Sequence, residues 1–217
     1  MKLLSVNVSR PQEISYNRKR TKTAIFKSPV KGRVMLRTLN LDGDGQADLV
    51  AHGGANRAVY VYTIENYQYW KNELERDNFV PGQFGENFTV EGMPEDRVHI
   101  GDVFRVGGTM VQITQPRVPC FKLGFRMNMP KFPKVFLASN KVGFYLRVLK
   151  EGEVGAGDRI DLVQTDPIGM TVQKISHLLY FDPKNLEDAQ RALAIEALSP
   201  GWRESFEERP MKARFGI

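Results

Sequence analysis

Hydrophobic and polar positions alternate up to about residue 165, in short runs separated by Gly, Pro, Asn and Asp. An apolar period of two is typical of half-buried strands, and turn residues between the runs favour antiparallel pairing. A Gly-Asp turn followed by an alternating strand occurs twice, in 98–104 and in 154–160. The pattern predicts an antiparallel sheet or barrel with strands that include 34–36, 58–62, 103–106 and 110–114.

The period changes to that of a helix twice inside this β region. Ile64, Tyr67, Trp70 and Leu74 recur at helical spacing behind Thr63, which can cap a helix N-terminus. A second helix is expected over 133–139. Both helices are expected to pack on the outside of the sheet.

Beyond Asp166-Pro167 the pattern is helical throughout. Helices are predicted over 171–179, 185–198 and 199–208, because Pro-containing breaks separate them. We therefore expect a mainly β fold with peripheral helices: a β-barrel domain over residues 1–165 and a three-helix extension over 166–217.

Composition and charge narrow the class of protein. The 217 residues are 41% hydrophobic and 26% charged, and no apolar run approaches the roughly 20 residues that a membrane helix needs. The N-terminal segment alternates and breaks at Pro11, unlike the apolar core of a signal peptide. A single cysteine excludes an internal disulfide and fits a reducing compartment, so a cytoplasmic protein is expected. The net charge of +6 favours anionic partners without choosing among them.

Cys120, the single cysteine, has a rigid and cationic sequence environment. Pro116 and Pro119 restrict the backbone, and Arg117 and Lys122 lie close by. Nearby cations favour the thiolate, which attacks electrophiles, carries a persulfide or binds a soft metal. The alternative is that this cysteine is a small buried apolar side chain.

Two glycine-rich segments and one basic run are candidates for binding an anion. In 52–60, Gly53, Gly54 and Arg57 precede a strand, where backbone N–H groups and a guanidinium can hold an oxyanion. In 81–89, Asn87 and Thr89 follow a rigid turn and can hydrogen-bond a ring or a phosphate. Both segments are also compatible with ordinary turns. The basic run 18–23 brings Lys22 and Thr23 to a position from which they can approach a phosphate.

Metal sites built from protein ligands alone are not expected. The segment 41–48 faintly resembles a calcium loop, but the position that requires a bidentate Glu falls near Gly53. The histidines His52, His99 and His177 are scattered, so the sequence gives no pattern of zinc ligands with Cys120.

Several of these segments, in this order and spacing, resemble the MOSC domain, and the helical tail is similar to the three-helix extension of the YiiM-like branch of that family. Ala24 departs from the pattern, which has Gly there. The segments that carry the resemblance are Thr23-Ala24-Ile25, His52-Gly53-Gly54, Ala58-Val59-Tyr60, Pro81-Gly82-Gln83-Phe84-Gly85-Glu86-Asn87, Ile100-Gly101-Asp102, Gln115-Pro116-Arg117-Val118-Pro119-Cys120 and Gly143-Phe144-Tyr145-Leu146-Arg147-Val148-Leu149.

The resemblance implies a molybdenum-cofactor enzyme in which Cys120 ligates molybdenum beside the pterin dithiolene. It implies reduction of N-hydroxylated compounds to amines, with 6-hydroxylaminopurine-type bases, hydroxylamines and amidoximes as substrates, and no need for pyridoxal phosphate. By the same resemblance the cofactor is held by Thr23, His52, Gly53, Asn56, Arg57, Asn87, Arg117 and Lys122.

The source of electrons follows from the residues themselves. One cysteine cannot hold an iron–sulfur cluster by four thiolates, and no dinucleotide fingerprint is visible. A separate flavin or iron–sulfur reductase is therefore the expected partner.

Two other functions stay open on the sequence. The first is a sulfur carrier that uses a Cys120 persulfide, which the same cationic surroundings would stabilise. The second is a basic nucleic-acid-binding barrel, suggested by the charge and by Tyr60, Tyr62 and Tyr67. It ranks lowest, because these rings fall at core positions of a strand and a helix.

Overall fold

Twelve strands and six helices make up the part of the chain that the structure, a computed structural model, describes: residues 1–16, 19–47 and 53–215. The strands are β1 Lys2–Val8, β2 Gln12–Tyr16, β3 Lys19–Thr23, β4 Ser28–Pro29, β5 Arg33–Leu36, β6 Val59–Thr63, β7 Phe88–Glu91, β8 Val103–Val106, β9 Thr109–Pro116, β10 Phe144–Lys150, β11 Gly152–Gly155 and β12 Ile160–Gln164. The helices are α1 Ile64–Leu74, α2 Phe121–Arg126, α3 Phe132–Ala138, α4 Val172–Tyr180, α5 Leu186–Leu193 and α6 Pro200–Phe215.

Eight strands form one sheet in the order β12-β8-β9-β10-β6-β7-β1-β4. The pairs are antiparallel except β6 with β7, which are parallel and joined through α1. The sheet curls enough for Lys2 to form an isolated bridge with Arg159 and for the Leu3 N–H to donate to the Asp158 carbonyl (2.9 Å). Strand pairing within the described ranges does not close the sheet into a barrel. The prediction of a fold dominated by a large sheet is confirmed, and the predicted barrel is not established.

The helices that were predicted from periodicity are present, with shifted ends. α1 begins behind Thr63, whose side chain accepts from the Asn66 N–H, as a capping Thr should. The predicted helix over 185–198 ends at Leu193, because the chain then turns to bury Ile195 and Leu198. The short helix α2 was not predicted. None of the described helices has both the length and the apolar content needed to cross a bilayer.

Two hydrophobic clusters hold these elements together. The larger one joins the sheet to α4, α5 and α6, and includes Phe104, Ile175 and Trp202. The smaller one is aromatic and lies between α1, α3 and the 79–84 segment, with Trp70, Phe84 and Phe136 fully buried. Offset and edge contacts between rings make such clusters rigid. The aromatic cluster lies under the candidate site described next.

Candidate functional site

An open cleft of about 650 Å³ lies between the end of β3, the 44–47 loop and the segment from Arg117 to Lys122. Its floor is formed by Tyr60 of β6 and Tyr145 of β10, with Asn87 beside them. These segments are far apart in sequence and meet because β9, β10, β6 and β7 are neighbours in the sheet. Because the cleft is open, this volume includes solvent at its mouth, and the space that the centre of a water-sized sphere can reach is about 110 Å³.

Cys120 lies on the wall of this cleft, at the N-cap position of α2. β9 ends at Pro116, and the extended backbone of Cys120 (φ −124°, ψ 172°) directs the chain into the helix. The first turn is held by the Leu123 N–H, which donates to the Cys120 carbonyl (3.0 Å). The thiol is half-buried. The position therefore combines a fixed backbone with access from the cleft.

Arg117 supplies a buried positive charge next to Cys120. Only 6% of the residue is exposed, and its Nη1 donates to the Tyr60 hydroxyl (3.0 Å) and to the Phe84 carbonyl (2.8 Å). Burial opposes the charged form, but the negative charges that Tyr60, Tyr145 and Cys120 can carry outweigh it and raise the pKa of Arg117. The guanidinium stays charged, and its attraction to Cys120 favours the thiolate.

Tyr60 and Tyr145 are neutral phenols on the cleft floor. Their ring centroids are 5.4 Å apart, and the Arg117 guanidinium lies 4.4 Å from the centre of the Tyr60 ring. Burial raises the pKa of both hydroxyls, and Arg117 offsets this effect only in part. At neutral pH both residues therefore keep their protons and can donate hydrogen bonds.

A buried ion pair forms the opposite wall of the cleft. The Lys27 Nζ lies 2.6 and 2.8 Å from the two carboxylate oxygens of Asp44, with 8% and 3% of the two side chains exposed. Asp44 also accepts from the Asn87 amide (2.8 Å) and from the Ser9 N–H (2.8 Å). Burial lowers the pKa of Lys27, and Asp44 opposes the shift. The pair ties the 44–47 loop to the segment after β3.

The glycine-rich turn 81–87 fits closely against this segment. Gly82 has φ +86°, and a Cβ there would lie 2.6 Å from the Lys27 carbonyl oxygen, so only glycine fits. The turn is fixed from inside by the fully buried Glu86. Its carboxylate accepts from Tyr67, Thr89 and the N–H groups of Gly82 and Phe84. Burial raises the pKa of Glu86, and these donors oppose the shift.

Most of the residues predicted to surround a cofactor meet at this cleft. Besides Cys120, its lining contains Thr23, Arg57, Asn87, Arg117 and Lys122. Gly53 and Asn56 are not among the lining residues, and the Asn56 carbonyl accepts from Thr114 instead. His52 lies outside the described residues. The role of each as a cofactor ligand stays a prediction.

Asn87 lines the cleft and is itself held by hydrogen bonds to the protein. Its side-chain oxygen accepts from the Tyr60 N–H (3.1 Å), and its amide nitrogen donates to Asn7 and Asp44. The Asn87 side chain therefore links β6, the end of β1 and the carboxylate of Asp44.

Lining residues that the sequence analysis missed are Lys27, Asp44, Tyr60 and Tyr145. Thr23, Ile25 and Lys27 lie at alternate positions and all three are buried, but the alternation alone does not distinguish a buried lysine from an exposed one. Asp44 belongs to the 41–48 segment, which was examined for calcium binding alone. Tyr60 was assigned to the core.

The donor set of the cleft suits a metal that arrives with its own ligands. Among the described residues there is no group of three or more His, Cys, Asp or Glu that could hold a metal ion. Cys120 offers one soft sulfur ligand, and the basic side chains Arg57, Arg117 and Lys122 suit a phosphate. A metal here would need its remaining ligands from an organic cofactor.

Comparison with known proteins places the chain in a family. The MOSC domain family matches residues 48–161, and the YiiM-like three-helix domain family matches 170–212. Protein YflK of Bacillus subtilis is 43% identical over 204 residues, 94% of this chain and 92% of that protein. The crystal structure of YiiM from Geobacillus stearothermophilus covers 96% of this chain, and 98% of its own length is covered, with 32% identity and a TM-score of 0.82. The chain belongs to the MOSC domain family and carries its YiiM-like helical extension.

A more distant relative bears the name of an activity. A protein of Gibberella moniliformis named "Reductase" is 34% identical over 145 residues, which are 65% of this chain and 26% of that protein. The similarity is confined to about a quarter of the fungal protein.

Proposed function

We propose that this protein is a molybdenum-cofactor-dependent reductase that converts N-hydroxylated compounds to amines. The observation that carries the proposal is the position of Cys120 on a cleft that also contains Arg57, Arg117 and Lys122. Membership of the MOSC family and the fungal relative named reductase support a redox function. Substrates of the class are 6-hydroxylaminopurine-type bases, hydroxylamines and amidoximes.

The residues of the cleft fit the parts of such a cofactor. Cys120 would ligate the metal, and the basic side chains would hold the phosphate of the pterin. When bound, the cofactor would supply two-electron oxygen-transfer chemistry. Arg117 would keep Cys120 as a thiolate, and because its own guanidinium is anchored by Tyr60 and Phe84, that charge is fixed in place.

Tyr145 is the phenol of the cleft that can contact the substrate, because the Tyr60 hydroxyl already donates to the Val142 carbonyl (3.0 Å). Reduction of a hydroxylamino group to an amine and water consumes two electrons and two protons. Tyr145 lines the cleft as a neutral phenol, and the charges of Arg117, Arg57 and Cys120 influence its ionisation. We assign it the role of donating a hydrogen bond to the hydroxyl oxygen of the substrate.

The sulfur-carrier alternative depends on the same thiolate but explains less of the site. A persulfide adds one sulfur atom to Cys120, and it needs neither a shared cleft nor the basic side chains that line its walls. The organic cofactor uses both features. A Cys120 persulfide after incubation with a desulfurase and cysteine, seen by intact mass in protein that lacks molybdenum, would favour the carrier.

The proposed activity is tested with holoprotein from a host that makes the molybdenum cofactor. Reduced methyl viologen serves as the electron source, 6-hydroxylaminopurine as the substrate, and adenine formation is followed by chromatography. We expect turnover by the wild type and a loss of at least about a hundredfold in Cys120→Ser, since the serine oxygen is a poor ligand for a soft metal. Equal turnover by the two proteins would refute the role of Cys120.

A further inference from the structure

The proposed function requires an external electron donor, and our inference rests on that function. Such a donor must bind close to Cys120. We propose that the face formed by α2, the start of α3 and the β2–β3 hairpin is the docking surface for an acidic redox protein that carries a flavin or iron–sulfur centre. We call it the α2 face. It combines a cationic border with an exposed apolar centre, next to the thiol.

The positive charge of the chain is concentrated in two segments, and parts of both segments build this face. Between Asp102 and Glu151 the sequence has nine Lys and Arg and no carboxylate side chain. Between Glu13 and Asp42 it has eight and again none. Together the segments contain more than half of the 31 Lys and Arg, so the rest of the chain carries a net negative charge. The excess of positive charge in the chain therefore comes from these two segments.

The two cationic segments meet through aromatic contacts made by α2, the helix that begins after Cys120. Tyr16 at the end of β2 packs on Phe121 of α2, with ring centroids 4.7 Å apart, and meets Phe125 edge-on at 6.2 Å. Phe26 contacts Phe125 in the same way at 6.1 Å. These contacts hold the hairpin, with exposed Arg20 and Lys22, against the helix that begins after Cys120.

The centre of the face is apolar and open to solvent. The exposed fractions of Val118, Phe121 and Phe125 are 45%, 41% and 36%, and Val135 of α3 is 48% exposed. Gly124 allows α3 to approach closely, since a Cβ there would lie 3.1 Å from the Cδ atom of Pro133. Lys131, at the N-cap of α3, and Lys134, in its first turn, are both exposed. An apolar centre with a charged border is typical of a protein interface.

Charge and geometry together favour an acidic protein over a nucleic acid. The Tyr16 and Phe121 rings face each other at an interplanar angle of 32°, so their facing surfaces are not open to stacking by a base. Among the other exposed centre residues, Val118 and Val135 are aliphatic, and Phe125 is in edge contact with both Tyr16 and Phe26. Glu13, 3.8 Å from Arg20, is a carboxylate at the border, and the cations outnumber it. Phe121 directly follows Cys120, so a partner on this face lies beside the proposed metal ligand.

The experiment measures binding of a bacterial flavodoxin, a small acidic flavoprotein, to the full-length holoprotein by calorimetry at low ionic strength. Three proteins are compared: the wild type, Lys131→Glu/Lys134→Glu on the α2 face, and Arg105→Glu/Lys150→Glu as a control. The control changes the net charge equally, and its residues are exposed on β8 and at the far end of β10. Turnover of each protein with reduced methyl viologen, which needs no docking surface, is measured separately.

We expect the α2-face variant to bind flavodoxin about tenfold more weakly than the wild type and the control to lose less than about threefold. Phe121→Ser should weaken binding in high salt as well, since its contribution is apolar. The two double variants should keep wild-type turnover with viologen. Absence of flavodoxin binding by the wild type, or equal losses in the two double variants, would overturn the docking proposal. Binding of oligothymidylate at this face in place of flavodoxin would overturn it in favour of a nucleic acid. Absence of viologen turnover in every protein would instead count against the proposed function.

Discussion

Individual buried charges set the shape of the cleft. The ammonium of Lys27 and the carboxylate of Asp44 are both removed from water, and each compensates the other. Taking two charges out of water costs several kcal/mol per ion, which the attraction between them offsets only while both are present. The pair therefore makes the position of the 44–47 loop sensitive to a single substitution.

Asp44→Asn should destabilise the fold by about 3–5 kcal/mol, because it leaves the Lys27 ammonium buried without a counter-ion. Chemical denaturation with a two-state fit measures the change. Asp42→Asn is the matched control: Asp42 is exposed, pairs with Arg37 at the surface, and should unfold at the wild-type denaturant concentration. Equal stability of the two variants would contradict the role given to the buried pair.

Glu86→Gln tests the carboxylate inside the 81–87 turn. Four donors converge on Glu86, and an amide would direct its own N–H₂ at one of them, at a cost of about 1–3 kcal/mol. The pKa of Glu86 is raised in the fold, so the folded protein holds this proton more tightly than the unfolded chain. The stability that this proton confers is complete below the ordinary pKa of 4.5 and is lost as pH rises through the raised pKa.

The difference in unfolding free energy between wild type and Glu86→Gln should accordingly be largest below pH 4.5 and narrow as pH rises. Denaturant titrations at several pH values give this difference. A gap that widens with pH would show that the native turn prefers the ionised carboxylate.

Site residues that are neighbours in the chain could be predicted from the sequence, and those that are distant in the chain could not. Arg117, Cys120 and Lys122 lie within one short segment, so their cooperation was visible in the chain itself. Lys27 and Asp44 are 17 positions apart and come together only through the fold. Nothing in a local pattern shows that a lysine will be buried, because burial requires a partner that tertiary structure supplies.

At the scale of elements, the junction between β9 and β10 positions the segment that carries Cys120. The Arg117 N–H donates to the Gly143 carbonyl (3.1 Å), and the Gly143 N–H donates to the buried Glu95 (2.8 Å). Glu95 also accepts from Asn66 of α1 (2.6 Å). One glycine therefore links a helix, two strands and the Arg117 backbone.

Gly143→Ala should disturb this junction strongly. Gly143 has φ +69°, and a Cβ would lie 2.4 Å from the Val61 carbonyl oxygen, so β6 and β10 would have to separate. Gly169→Ala is the control, with a similar φ of +65° and no atom within 4 Å of its Cβ; it should cost only about 1–2 kcal/mol of backbone strain. Thermal unfolding compares them. A melting temperature for Gly143→Ala at or above that of the control would contradict the steric argument.

The elements that periodicity predicts well are those whose own sequence decides their structure. α1 has a cap, a regular apolar face and eleven residues, and it was located correctly. α2 has six residues with Gly124 inside, and its own propensity is too weak to indicate a helix. Packing of Gly124 against the chain around Met129 and Pro130 explains why the segment is nevertheless helical.

At the scale of the whole molecule, the sheet and the C-terminal helices share one core. Val172, Ile175 and Trp202 belong to the same cluster as Phe104 and Val111 of the sheet. The Ser199 N–H also donates to the Thr114 carbonyl in β9, the strand that leads to Cys120. The change from alternating to helical spacing after residue 166 separated the helices from the sheet in the sequence. It could not show that the helices would pack on the sheet.

The molybdenum content of purified protein decides whether Cys120 is a metal ligand. Wild type and Cys120→Ser are expressed in a host that makes the cofactor, and metal and pterin are quantified in each. We expect about one molybdenum and one pterin per wild-type chain, with loss of most of the metal from a variant that is folded by circular dichroism. Wild-type protein without molybdenum, or equal metal in both proteins, would contradict ligation of the metal by Cys120.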